Sequence, residues 1–207
     1  MIRAVVPFLA LIALVGCSSV PERLPTLPAE QAWSLRKASL TGLARWVVSG
    51  RIAVRNENES WHANILWTQD PERYAISVIA PLGGGTFQLE GDSKGVQLRT
   101  PEDGNFFAEN PDALVFDVVG LPIPVSGMRY WVMGVPQPGV AMEYDLDPWG
   151  RLRQLRQSTW QVDFLRYSEN GEWELPDKVF MKNNQFEVRL VISEWSLDGV
   201  TTAERVH

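Results

Sequence analysis

Hydrophobic and polar residues alternate along most of the chain, with the two-residue period of strands that bury one face. The first such run begins at Trp46 and ends at Val54, and further runs cover residues 61–67, 74–80 and 87–89. Short connections rich in Gly, Pro, Asn and Asp separate these runs. Connections of this length join antiparallel strands, so the pattern predicts an antiparallel meander.

Helical patterns occur before the first strand and again in the middle of the chain. Trp33, Leu40 and Leu43 recur at helical spacing and predict a helix over residues 29–44. In the middle of the chain, Asn110 is a suitable N-cap, and the helix that it begins should end at Gly120.

A shorter helix is predicted from Ser126 to Met133, after which the alternation resumes. The later strands are predicted at residues 144–146, 153–159, 160–167, 177–182 and 186–195. In all, the chain is predicted to form ten or eleven strands and two or three helices in one domain.

An antiparallel sheet of this size must curl, and helices inserted between its halves cover its mouth or fill its interior. The alternation places Trp46, Trp61, Trp67, Trp160 and Phe164 on the inward face. Such an interior is either a filled sandwich core or an apolar cavity. The period of the pattern does not separate these two alternatives.

Composition and charge narrow the range of functions. The chain has 207 residues, 45% of them hydrophobic, with a formal net charge of -6, one Cys and two His. A net negative charge argues against nucleic-acid binding, which needs clustered Lys and Arg. One Cys forms no intramolecular disulfide and, with so few His, excludes a Cys-rich zinc framework. No cofactor or metal site is predicted.

The N-terminus has the features of a secretory signal. Arg3 precedes an apolar run of about a dozen residues, shorter than the roughly 20 that a membrane-spanning helix needs. The run ends in Leu14-Val15-Gly16-Cys17, which resembles the lipobox of bacterial lipoproteins. This resemblance implies that residues 1–16 are cleaved and that Cys17 carries S-diacylglycerol and N-palmitoyl groups. The alternative is an unmodified Cys in an ordinary signal sequence.

The mature chain that follows the lipobox is divided into a tether, a domain and a tail. Residues 17–28, with three Pro, are expected to form the lipidated N-terminus and a tether. In such lipoproteins an Asp after the modified Cys commonly signals inner-membrane retention, and Ser18 in its place favours the outer membrane. Residues 29–197 are the predicted domain, and 198–207 are expected to be a disordered tail.

Six short motifs occur in order along the mature chain. They are Trp46-Val47-Val48-Ser49-Gly50-Arg51-Ile52-Ala53-Val54, Trp67-Thr68-Gln69, Pro81-Leu82-Gly83, Leu121-Pro122-Ile123-Pro124, Trp131-Val132-Met133-Gly134-Val135-Pro136 and Trp160-Gln161-Val162. Together with the lipobox, their order and spacing from Cys17 to about Trp195 resemble the LolB family of outer-membrane lipoprotein receptors.

The resemblance implies a mainly β fold, an incomplete and unclosed antiparallel barrel of about eleven strands, with an α-helical lid over a hydrophobic cavity. It implies a protein that is not an enzyme. The protein would accept triacylated lipoproteins from the periplasmic carrier LolA and insert them into the outer membrane. We expect a lipid-anchored monomer on the periplasmic face, whose partners are LolA, cargo acyl chains and outer-membrane lipid.

Two sets of site residues follow. Leu82 corresponds to a Leu that protrudes from the barrel in the family and is required to release cargo into the membrane. From their alternation, ten residues are expected to line the acyl-chain cavity: Trp46, Val48, Ile52, Trp61, Ile65, Trp67, Ile76, Val78, Trp160 and Phe164.

Two rival functions have some support in the sequence. The pentapeptide from Gly91 to Gly95 matches Gly-x-Ser-x-Gly, the nucleophile motif of lipid esterases, with Ser93 at its centre. A strand is predicted after it instead of a helix, and neither His62 nor His207 is a credible base, so the pentapeptide is interpreted as a hairpin turn. The second rival is a structural or assembly lipoprotein that binds protein partners without carrying lipid.

Overall fold

The computed structural model describes residues 24–81, 84–102 and 104–197. The predicted signal, the proposed lipidation site Cys17, the proposed membrane-contacting Leu82 and the predicted tail at 198–207 lie outside the described residues. The C-terminal part of the predicted tether is described, and its side chains from Leu24 to Pro28 are exposed.

Within the described residues the chain forms three helices and eleven strands. The helices are α1 (Ala29–Thr41), α2 (Pro111–Val119) and α3 (Val125–Trp131). The strands before α2 are β1 (Trp46–Arg55), β2 (Ser60–Gln69), β3 (Tyr74–Ile79), β4 (Thr86–Asp92), β5 (Gly95–Arg99) and β6 (Asn105–Ala108). The strands after α3 are β7 (Met142–Leu146), β8 (Leu152–Gln157), β9 (Trp160–Asn170), β10 (Trp173–Lys182) and β11 (Glu187–Ser196).

All eleven strands form one antiparallel sheet in the order β6-β5-β4-β3-β2-β1-β11-β10-β9-β8-β7. The first strand therefore pairs with the last, and the sheet does not close between β6 and β7. The chain that links these two edge strands carries α2 and α3. The predicted unclosed antiparallel sheet with a helical lid is confirmed.

The strands define two ends of the sheet. At the α1 end, β1 begins, and the turns at residues 70–73, 93–94 and 147–151 lie beside it. At the far end, β1 finishes, and the connections at residues 56–59, 80–85 and 183–186 lie there.

Local signals place α2 where the sequence predicts it. The Asn110 side chain accepts hydrogen bonds from the backbone N–H groups of Asp112 and Ala113, at 2.8 and 3.1 Å. Gly120 ends the helix with a φ of 76°, a left-handed conformation that favours glycine. The other two helices are shorter than predicted, since α1 ends at Thr41 before Gly42, and α3 ends at Trp131.

One strand was not predicted from the sequence. β6 has only four residues, two of them the adjacent Phe106 and Phe107, so it shows no alternation. It forms because β5 offers a free edge beside it, with which it pairs antiparallel.

The first helix, α1, lies across the α1 end of the half of the sheet that contains β7 and β8. Trp33 and Leu40 are its buried residues. The backbone of α1 lies against the turn between β7 and β8, where a Cβ on Gly150 would be 2.5 Å from the Trp33 nitrogen. Glu30 also accepts a hydrogen bond from the Tyr144 hydroxyl at 3.1 Å. These contacts fix the point at which the chain enters the domain.

Gln157 is a buried polar residue that ties the segment after α3 to β8. Its side-chain oxygen accepts from the Trp131 indole and from the Gln137 backbone N–H, both at 2.8 Å. Its amide group donates to the carbonyls of Gln137 and Val140. Because Gln157 is only 1% exposed, these bonds replace the water that its amide would otherwise bind.

The pairing of β1 with β11 contains an irregularity that requires glycine. The register shifts between Ser49 and Gly50, and a Cβ on Gly50 would lie 2.2 Å from the carbonyl oxygen of Val191. The two backbones are therefore closer here than any side chain permits.

We expect Gly50→Ala to lower the free energy of unfolding by about 1–3 kcal/mol, because the two central strands must move apart. Urea denaturation followed by Trp fluorescence measures this change. The control is Gly42→Ala, since Gly42 has a φ of -78° and the nearest atom to its Cβ is at 3.3 Å. Equal losses in the two variants would contradict the prediction.

We expect Gln157→Leu to be destabilising, because it leaves two buried N–H groups without acceptors, at about 1–3 kcal/mol each. Gln154→Leu makes the same change on the same strand, where the half-buried side chain bonds to Asp163. Gln154→Leu should lower the urea midpoint clearly less than Gln157→Leu does. If Gln157→Leu has the smaller effect, the stabilising role of the Gln157 hydrogen bonds is refuted.

Candidate functional site

An apolar cavity of about 290 Å³ lies between one half of the sheet and the two later helices. Its sheet side consists of residues from β1–β5: Ile52, Trp61, Ile65, Trp67, Ile76, Val78, Phe87, Leu89 and Leu98. Its helical side consists of residues from α2, α3 and their connection: Val115, Val119, Leu121, Ile123, Val125 and Met128. Glu59 is the one charged residue among the described lining residues.

The exposure of the lining residues shows where the cavity opens. Trp67 and Leu89, nearer the α1 end, are 1% and 5% exposed. Val78 and Phe87 pair with each other two residues further along β3 and β4, toward the far end, and are half-buried. Glu59, which lies beyond them, is exposed. The cavity therefore opens at the far end of the sheet, beside the connections at residues 56–59 and 80–85.

Six of the ten residues that the sequence predicts in the cavity lining are found there, namely Ile52, Trp61, Ile65, Trp67, Ile76 and Val78. The other four, Trp46, Val48, Trp160 and Phe164, are buried but are not among the residues that line this cavity.

Trp46 and Val48 lie near the α1 end, where the interior is filled. The Trp46 ring centroid is 5.3 Å from that of Trp67 and 5.7 Å from that of Trp195. The Trp195 indole also donates to the Pro176 carbonyl at 3.1 Å. These packed indoles fill the space around Trp46.

Trp160 and Phe164 belong to β9, in the half of the sheet formed by β7–β11. Phe164 stacks on Tyr167 with a centroid separation of 6.2 Å. The Tyr167 hydroxyl donates to the Leu152 carbonyl at 2.7 Å, and burial raises the pKa of Tyr167. The guanidinium of Arg36, from α1, lies over the Tyr167 ring at 5.3 Å. This half of the interior is a packed core.

The lid consists of α2, α3 and the connection between them. The connection between α2 and α3 makes two tight turns, in which Ile123 N–H donates to the Leu121 carbonyl and Val125 N–H to the Ile123 carbonyl. Asp112 accepts a hydrogen bond from the backbone N–H of Ser126 at 2.8 Å. Burial raises the pKa of Asp112, and this hydrogen bond opposes that shift. The bond joins the start of α2 to the start of α3.

Two backbone hydrogen bonds join the described residues on either side of Leu82. Ala80 N–H donates to the Gly85 carbonyl at 3.0 Å, and Gly84 N–H donates to the Pro81 carbonyl at 3.2 Å. Pro81 and Gly84 are exposed. Ile79, the last residue of β3, is 47% exposed. The described residues around Leu82 thus present apolar surface to solvent at the end where the cavity opens.

Ser93 lies in the turn between β4 and β5, where Asp92 pairs with Gly95. The interpretation of this pentapeptide as a hairpin is confirmed, and a strand follows it instead of a helix. His62 is exposed on β2, toward the far end of the barrel from Ser93. In residues 24–81, 84–102 and 104–197, the side chains of His, Cys, Asp and Glu form no group of three or more suited to a metal ion.

The sequence reasoning missed two parts of the lining. Phe87 and Leu89 continue the alternation of the predicted lining residues, so this pattern alone is sufficient to identify them. The lid residues lie on the apolar sides of the predicted helices. Their position over the cavity depends on the sheet being open between β6 and β7, which the local pattern does not show.

No helix in the described part of the chain combines the length and the apolar character needed to cross a bilayer.

Comparisons with known proteins agree with this architecture. A crystal structure of a LolA superfamily protein from Nitrosomonas europaea superposes with a TM-score of 0.53 at 7% identity, covering 85% of this chain and 96% of that one. At this level of identity, the likeness shows a shared fold.

Sequence comparison reaches the family. Residues 44–195 match the model of the family described as Outer membrane lipoprotein LolB. The outer-membrane lipoprotein LolB of Nitrosococcus oceani is 34% identical over 196 residues, which cover 94% of this chain and 98% of the relative. The LolB of Pseudomonas fluorescens is 35% identical over 199 residues, covering 94% and 96%. The chain therefore belongs to the LolB family of outer-membrane lipoproteins.

Proposed function

We propose that this protein accepts triacylated lipoproteins from a periplasmic LolA-type carrier and inserts them into the outer membrane. The observation that carries the proposal is the cavity. All its described lining residues but Glu59 are hydrophobic, and it opens at one end of the barrel beneath a helical lid. Cys17 would hold the protein at the outer membrane through its lipid, with the domain on the periplasmic face.

The energetics of acyl chains explain why such a cavity is needed. A triacylated lipoprotein exposes on the order of forty methylenes, each worth about 0.8 kcal/mol when buried. Passage through water would therefore cost tens of kcal/mol. An apolar cavity that opens against the carrier's own cavity lets the chains move from one lining to another without hydration.

We propose that the lid moves when cargo binds, because the observed cavity is small. About 290 Å³ is near the lower limit of pockets that hold one small ligand, which span about 300–1,000 Å³. Three acyl chains need more space than that. Asp112 would couple α2 to the start of α3, whereas Trp131 holds the end of α3 to Gln157 on β8.

Direction would come from relative affinity. The sequence has no Gly-x-x-x-x-Gly-Lys-Ser/Thr phosphate loop, so it gives no sign of nucleotide hydrolysis. Acyl chains would bind more tightly here than in the carrier and less tightly than in the membrane. A lining without convergent polar groups suits this role, since it binds chains without fixing their position.

The proposed site residues would play different parts. The six predicted residues that line the cavity would contact acyl chains, together with the lid residues. Trp46, Val48, Trp160 and Phe164 would support the barrel around them. Leu82 would make the membrane contact from the connection between β3 and β4.

We expect Val78→Trp to lower the affinity for a fluorescent long-chain fatty acid such as cis-parinaric acid by about tenfold or more. Displacing two methylenes of the fatty acid from the cavity weakens binding by about 1.6 kcal/mol. A loss of about 1.4 kcal/mol corresponds to a tenfold lower affinity. The control is Ser77→Trp, since Ser77 is the neighbour of Val78 on the opposite face of β3. Unchanged binding in Val78→Trp, or equal losses in both variants, would count against the cavity as the acyl site.

We expect Leu82→Glu to accept lipoprotein from the carrier and to fail in delivering it to liposomes, because a carboxylate at the contact point resists transfer into lipid. Leu82→Met keeps the apolar character and should deliver normally. Both steps are measured by separating carrier, receptor and liposomes after incubation. Normal delivery by Leu82→Glu would exclude the proposed role of this residue.

A further inference from the structure

A single carboxylate stands at the mouth of the apolar cavity, the opening at the far end of the barrel. Glu59 is exposed and is the one charged residue among the described residues that line the cavity. Trp61, two residues further along the chain, lines the same cavity. Because alternate residues of an extended chain share a face, Glu59 continues the inner face of β2 beyond its first residue.

The turn between β1 and β2 fixes the backbone of Glu59. The Asn56 side chain accepts hydrogen bonds from the backbone N–H groups of Asn58 and Glu59, at 2.9 and 2.7 Å. The backbone N–H of Asn56 donates to the Glu59 carbonyl at 2.9 Å. Both peptide groups of Glu59 are therefore bonded, which keeps its carboxylate within one side-chain length of the mouth.

The charge of Glu59 is not neutralised in the part of the chain that the structure describes, where its carboxylate makes no salt bridge. Two cationic side chains lie close to it in the sheet, Arg55 and Arg189. Both line a groove on the outer face, which Glu59 also borders, and neither lines the cavity. Arg189 is paired with Glu187 at 2.9 Å. The described side of the mouth that faces the cavity is therefore negative.

The lipids that such a protein meets differ in charge at the point where their acyl chains are joined. In a triacylated lipoprotein, the chains are attached through two esters and an amide on a thioether-linked glycerol, and none of these groups is charged. In an anionic phospholipid, a negative phosphodiester follows the glycerol esters directly. Because burying a charge in an apolar cavity is costly, the phosphate of a bound phospholipid would stay at the mouth, beside Glu59.

We propose that Glu59 makes the cavity selective for lipoproteins over anionic phospholipids, by repelling a phosphate at the mouth. The inference rests on the proposed function, since the protein would handle acyl chains beside a membrane made of competing lipids. An apolar lining binds the chains of both classes alike, so discrimination requires an element that acts against the unwanted lipid. Glu59 is that element among the described lining residues.

The test compares two lipids that share one oleoyl chain and differ in the phosphate, monooleoylglycerol and oleoyl-lysophosphatidylglycerol. Each is used below its micelle-forming concentration to displace the uncharged dye N-phenyl-1-naphthylamine from the mature chain, which carries Cys17→Ala and so has no lipid of its own. Glu59→Gln removes the charge and keeps the shape. We expect it to lower the preference for monooleoylglycerol, the ratio of the two affinities, by about threefold or more, since like charges about 8 Å apart change an affinity by about twofold to thirtyfold.

Two controls isolate the charge at the mouth. Glu57→Gln makes the same change in the same turn, and Glu57 is exposed but does not line the cavity, so the ratio should be unchanged. Salt provides the second control. Raising the ionic strength from about 0.01 M to about 1 M shortens the Debye length from about 30 to about 3 Å. The ratio of the wild-type protein should then fall toward that of Glu59→Gln.

The outcomes separate this inference from the proposed function. If Glu59→Gln leaves the ratio unchanged, or if Glu57→Gln lowers it equally, the selective role of Glu59 is overturned. A wild-type ratio that does not respond to salt also overturns it. If the wild-type protein takes up no triacylated lipoprotein from the carrier, the proposed function fails, whatever preference the dye measurement shows between the two lipids.

Discussion

The antiparallel pairing of β1 with β11 holds the two halves of the molecule together. Val47 pairs with Ser196, so this contact joins the first strand of the sheet to the last. Each half is otherwise a meander of neighbouring strands. Because the halves meet at the middle of the sheet, the break in the barrel falls between β6 and β7, and the chain that bridges the break becomes the lid. Such non-local pairing carries a loop-closure cost, which typically slows folding.

The sequence predicts best the elements whose signals are local. Asn110 and Gly120 set the limits of α2 by hydrogen bonding and backbone conformation, and the structure has both limits in place. β6 was missed because its four residues owe their strand geometry to β5. The order of the sheet also depends on contacts distant in sequence. Alternation identifies a strand and its buried face, but it does not show which other strand it pairs with.

The same limit applies to the site. Trp67 and Trp160 have the same inward position in their strands, yet only Trp67 lines the cavity. In the half around β9, Phe164 stacks on Tyr167, whereas the lid helices face the half around β2 across the cavity. Whether an inward residue meets a neighbour or a space is decided by packing across the interior. The family comparison identified the kind of protein, and the geometry shows which half of the barrel is hollow.

An open barrel has two unpaired edges, and each is a template onto which a strand of another molecule can add. Here both edges are poor templates. β6 has four residues and β7 has five, which limits the number of intermolecular hydrogen bonds. β7 also carries Glu143 and Asp145, which are paired with Arg156 and Arg153 and place charge along the edge. The gap that accommodates the lid can therefore stay open without promoting edge-to-edge association between molecules.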